Sequence, residues 1–81
     1  MKNRTTLNCK ETKMRLVRII EEYGLSARDV QEIIGYGSVQ AVYKWESLGN
    51  SSLPSIDALV QLAGYFECEI DDLIVTDKIP A

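Results

Sequence analysis

Residues 26–47 constrain this chain more than any other stretch. Ser26 is a good helix N-cap, Ala27, Val30, Ile33 and Ile34 then share one helical face, and Gly35 stops the run. Gly35-Tyr36-Gly37 makes a tight connection, after which Ser38 can cap a further helix with Ala41, Val42 and Trp45 turned inward at i, i+1 and i+4. The spacing predicts helix 2 at about residues 27–34 and helix 3 at about 39–47. Helices of about eight residues are too short to be stable alone, so their apolar faces need partners.

The rest of the chain supplies them. Asn8, followed three residues later by Glu11, forms a capping-box pattern, and Met14, Val17 and Ile20 with Leu16 and Ile19 continue at helical spacing to Tyr23 and Gly24. Helix 1 is expected at about 10–23. Pro54 and Ser55 open a fourth helix, about 56–66, with a broad apolar stripe of Ile56, Leu59, Val60, Leu62, Ala63 and Phe66. A fifth, about 70–75, is led by Glu69 and carries Ile70, Leu73 and Ile74. Strand signals are weak throughout. The expected fold is all-α: one domain of five short helices over residues 10–75, an N-terminal arm at 1–9 and a C-terminal tail at 76–81.

Composition removes several function classes. Eighty-one residues make one small domain, and 46% apolar with 26% charged residues is the balance of a folded globule. Two cysteines without a CxxC pair, and no histidine, argue against a disulfide framework or a zinc cluster and suit a reducing cytoplasm. Cys9 and Cys68 are expected to serve as small apolar side chains, and Asp71 and Asp72 as acids at a helix start rather than metal ligands. Apolar runs such as Ala58 to Val60 fall far short of the roughly 20 residues a bilayer span needs. Met1 to Leu7 lacks a signal-peptide core, so no exported or membrane-bound segment is expected. No nucleophile with a base partner and no glycine-rich phosphate cradle stands out, which argues against an enzyme and calls for no cofactor.

The net charge of −3 conceals an asymmetry. Residues 1–46 hold eight of the nine bases against six acids, whereas residues 47–81 hold Lys78 against six acids. Screening confines electrostatic influence to about 10 Å, so one face of a bipolar domain can still meet phosphates.

Two short helices joined through a glycine turn are the sequence form of a helix-turn-helix. The residues also resemble the Cro/repressor-type (XRE-like) helix-turn-helix family. The resemblance runs through Gly24-Leu25-Ser26, Val30, Ile34-Gly35, Val42, Trp45-Glu46, Pro54-Ser55, Leu59, Leu62-Ala63 and Asp72-Leu73, and so covers roughly residues 10–75. It implies a lambda-repressor-like domain whose helix 3 enters the major groove of double-stranded DNA. Val39, Gln40, Tyr43 and Lys44 are then the base-contact candidates. Gln40 can pair with adenine N6 and N7, Lys44 can reach guanine or a phosphate, Val39 can touch a thymine methyl, and Tyr43 can meet the sugar-phosphate backbone. Ser26, Ala27, Arg28, Ser38, Asn50 and Ser51 are the phosphate-contact candidates. The family pairs as twofold dimers, and Leu73, Ile74, Val75 and Ile79 are the expected seam.

Trp45 is expected in the core, closing the seam of helix 3. Some residues depart from the family pattern. Ala27 stands where glutamine is frequent. Residues 46–53 form a longer connection with no base. Ile20 replaces an arginine that would pair with the acid equivalent to Glu46. With the acidic second half, these departures keep a rival open: the same fold as a protein-interaction module, such as an antitoxin, with weak or lost DNA binding.

Overall fold

Side-chain caps fix where the helices begin. The computed structural model describes residues 4–35, 39–47 and 52–80. In them α1 spans Cys9–Glu22, α2 Ala27–Ile34, α3 Val39–Glu46 and α4 Ile56–Phe66. The Asn8 side chain accepts the Glu11 amide at 2.9 Å, and the Ser55 hydroxyl accepts the Ala58 amide at 3.1 Å. Each satisfies a first-turn N–H that has no partner within its own helix.

Helix ends follow from backbone geometry. Beyond α1 the Leu25 amide returns to the Ile20 carbonyl at 3.1 Å and the Gly24 amide to Glu21 at 3.0 Å, with Gly24 at φ 67°. This paired closure needs a left-handed residue, which glycine adopts without steric cost. The same closure ends α4, where Cys68 bonds to Ala63 and Glu67 to Gly64, but there the left-handed position is held by Glu67 at φ 55°.

The core draws on every helix. Leu16 and Ile20 of α1, Val30 and Ile34 of α2, Val42 of α3, and Leu62, Ala63 and Phe66 of α4 are buried, with Leu73 closing one end. Trp45 is half-buried and packs against this cluster, as its spacing from Val42 suggests. Not all of the expected stripes face inward. Met14 of α1 lies at the surface, and Ile56 and Val60 of α4 are 77% and 50% exposed. Four residues apart, Ile56 and Val60 lie above one another on one face, while the inward face carries Ala58, Leu62 and Phe66.

The ends of the chain correct the all-α, five-helix expectation. Residues 70–75 form a single 3-10 turn, Ile70–Asp72, rather than a fifth helix. Residues Arg4–Leu7 (β1) and Thr76–Ile79 (β2) pair as an antiparallel two-stranded sheet, Arg4 opposite Ile79 and Leu7 opposite Thr76. The cause lies in Thr12, which is buried in α1. Its hydroxyl accepts the Val75 amide at 2.9 Å and donates to the Val75 carbonyl at 3.3 Å. The Asn8 amide bonds that same carbonyl at 2.8 Å, and the Asn8 side chain donates to Asp77 at 3.0 Å. With Val75 held this way its amide no longer feeds a helix, and the chain leaves as a strand. Leu73 is fully enclosed in the domain's own core, so it cannot form part of a dimer seam. Ile74 and Val75 are half-buried, and Ile79 is 45% exposed.

Candidate nucleic-acid interface

The candidate interface takes in α2 and α3. Val30 and Ile34 of α2 lie with Val42 of α3 in one buried cluster, and Gly35, left-handed at φ 85°, turns the chain out of α2. Burial of one face of α3 decides what the other presents. Val42 is 1% exposed, whereas Gln40, Tyr43 and Lys44 lie on the surface, Tyr43 with 57% of its area open. These three therefore occupy one outward helix surface. Val39, at the start of α3, is half-buried. Their donors and acceptors match base edges and phosphates, and the protein's own core leaves them unused.

The N-terminus of α2 is more occupied than sequence alone suggests. The Ser26 hydroxyl accepts the Asp29 amide at 3.1 Å, and the Asp29 carboxylate accepts the Ser26 amide at 2.8 Å. The bond from the Ser26 backbone, and then that from its hydroxyl, hold the exposed Asp29 carboxyl below its usual range. An ionised carboxylate thus caps the helix where a phosphate would also be favoured. Ser26 is engaged in this box, Ala27 is half-buried, and Arg28 extends into solvent as the free cation of the first turn. The phosphate candidates Ser38, Asn50 and Ser51 lie outside the described residues.

A lysine unsuspected from sequence sits behind α3. Lys13 of α1 is 1% exposed, and its Nζ donates to the Ser47 carbonyl at 2.6 Å and the Lys44 carbonyl at 3.3 Å. The signal was its position: three residues before Leu16 and seven before Ile20, Lys13 lies on the inward stripe of α1. Because it is buried, Lys13 does not contribute to the basic surface counted from the sequence. Arg15 is also tied down, donating to the Ile74 carbonyl at 3.0 Å.

Ile20 occupies the core, and half-buried Glu46 lines a shallow groove of about 280 Å³ with Met14, Val17, Arg18 and Glu21. The half-buried Cys68 thiol is pushed upward in pKa, first by burial and then by the Asp72 and Glu69 carboxylates, so its reactive thiolate form is disfavoured. Among the described residues no group of three metal-ligating side chains comes together, and no helix is long and apolar enough to cross a membrane.

A helix-turn-helix family model matches residues 15–73, which includes all of α2, α3 and α4. The chain belongs to the XRE-type helix-turn-helix family, a class of DNA-binding transcription regulators. Among solved structures it is similar to a transcriptional regulator from Listeria innocua, with a TM-score of 0.66 at 24% identity. That alignment covers 91% of this chain, which spans 60% of the solved one, and at this identity the likeness concerns the fold. No curated protein matches the chain.

Proposed function

We propose that this protein is a sequence-specific DNA-binding transcriptional regulator that lays α3 in the major groove. The observation that carries the reading is the division of α3 into a buried face at Val42 and an outward face of Gln40, Tyr43 and Lys44 on a helix-turn-helix frame. Gln40 reads a base, and Lys44 a guanine or a phosphate. Tyr43 packs on the backbone, and Val39 approaches a thymine methyl. Arg28, Ser38, Asn50 and Ser51, with the free amides at the start of α2, hold phosphates. One such domain spans few base pairs, so it acts as a twofold dimer on half-sites about 34 Å apart. With Leu73 committed to the core, Ile74, Val75 and Ile79 are the remaining seam candidates.

The rival reading, an interaction module that binds a protein such as a toxin, draws support from the acidic second half and from the loss of Lys13 to the interior. Selection of bound sequences from a random DNA library separates the two. The regulator enriches a twofold-symmetric site, and Gln40→Ala weakens binding to that site by roughly 1–3 kcal/mol while relaxing one base pair per half-site. A library that yields no enriched sequence favours the interaction module. Uniform weakening by Gln40→Ala removes that side chain from base readout.

A further inference from the structure

Lys13 combines properties that a solvated lysine does not have. It is enclosed, it lies on α1 rather than on the helix-turn-helix, and its ammonium donates to the Lys44 and Ser47 carbonyls at the end of α3. The last carbonyls of a helix have no intrahelical donors and carry the negative end of the dipole. A buried ammonium there satisfies both needs, with hydrogen bonds strengthened by the full charge. The backbone of α3 continues to the Ser47 amide, which bonds the Tyr43 carbonyl at 3.0 Å. Lys13 therefore grips the same turn whose side chains, Tyr43 and Lys44, face outward.

We infer that Lys13 is a positioning residue that clamps the C-terminal end of α3 onto α1 and so sets the angle at which the outward face of α3 meets DNA. This rests on the DNA-binding reading. The clamp acts through backbone carbonyls, which any residue at 44 or 47 provides, so it fixes the pose of α3 independently of which side chains read the bases. Lys13 touches no phosphate, releases no counterions, and influences affinity only through geometry.

Lys13→Met keeps the aliphatic stem and removes the ammonium, and three readouts test the clamp. Affinity for the selected site should fall about tenfold or more, the scale set by hydrogen bonds to a charged group. The slope of log affinity against log salt should stay at the wild-type value, because a phosphate-bound lysine would lower it by about one and a buried one does not. Emission from Trp45, the single tryptophan and a resident of α3, should shift in the free protein. Phe66→Leu, which loosens the core where α4 packs Phe66 against Tyr23 and Tyr65, should match the loss of melting temperature but keep the wild-type affinity under conditions where both variants are folded.

Wild-type affinity and unshifted Trp45 emission in folded Lys13→Met would overturn the clamp, as would a salt slope reduced by one. If Lys13→Met does not fold, the wild-type protein decides. In isotope-labelled protein the Lys13 ammonium should give a slowly exchanging NMR signal with couplings across the hydrogen bonds to the Lys44 and Ser47 carbonyls. A rapidly exchanging ammonium without those couplings would refute the clamp. A wild type that binds no DNA at all would refute the DNA reading, while Trp45 emission and the ammonium signal would still report on the clamp.

Discussion

The α2–α3 pair and the joined chain termini hold together by different means. In α2–α3 the bond is apolar: Val30, Ile34 and Val42 share a buried cluster, and helical spacing places them on facing sides. At the termini it is polar and backbone-borne. β1 and β2 expose every β2 residue and most of β1, and the pairing hangs on Asn8, Thr12 and the backbone of Val75. Apolar packing leaves the outer side chains of α3 free to meet a ligand. The polar closure engages Asn8, Thr12 and the Val75 backbone internally and leaves Leu7 and Ile79 exposed as its apolar surface.

The largest expected effect tests whether the two regions share one cooperative core. Leu62 lies in α4 and is fully enclosed in the core, so Leu62→Ala should cost about 2–5 kcal/mol, a large part of the stability of a domain this small. Chemical denaturation followed by circular dichroism and by amide exchange in β2 should show both regions lost together. Strands that stay protected after the helices melt would separate the termini from the core.

A smaller effect isolates the polar closure. Thr12→Val keeps the shape, but the half-buried Val75 amide loses its acceptor, at a cost of about 1–3 kcal/mol. Amide exchange should quicken at residues 76–79 while α2 and α3 keep their protection. Equal loosening of all elements would mean that Thr12 supports the core rather than the closure.

The smallest change is a gain. Glu67 holds a left-handed conformation that costs a side-chain-bearing residue roughly 1–2 kcal/mol, partly offset by the greater unfolded-state freedom of glycine. Glu67→Gly should therefore stabilise the protein by about 0.5–1 kcal/mol, seen as a melting temperature a few degrees higher. A lower melting temperature would show that the Glu67 side chain makes a contact worth more than its strain.

The same contrast explains what could be read in advance. Helices α2 and α4 were legible to the residue because Ser26 and Ser55 cap them, Gly35 ends the first, and their inward residues recur at helical spacing. The outward positions on α3 followed once Val42 was turned inward. The strands were not legible. Arg-Thr-Thr-Leu and Thr-Asp-Lys-Ile carry almost no apolar alternation, and what pairs them is backbone hydrogen bonding across some seventy residues, anchored by one threonine hydroxyl. In sequence Leu73, Ile74, Val75 and Ile79 form one apolar group available for a seam, although Leu73 closes the core while Ile79 remains outside. Lys13 was hidden for a related reason: a lysine on an inward stripe reads as solvated until carbonyls to receive its ammonium come into view.

The central claim is that the outward face of α3 meets the phosphates and bases of DNA, and salt dependence tests it most directly. Affinity for the selected site and for random DNA, measured from low to moderate salt for wild type and Lys44→Met, should fall linearly on logarithmic axes. If Lys44 meets a phosphate, Lys44→Met should weaken both DNAs by a similar factor and lower the slope by about one. If it reads a guanine, the selected site should lose more than random DNA. Affinity that does not change with salt, or a Lys44→Met variant that binds both DNAs as tightly and as steeply as wild type, would contradict the account.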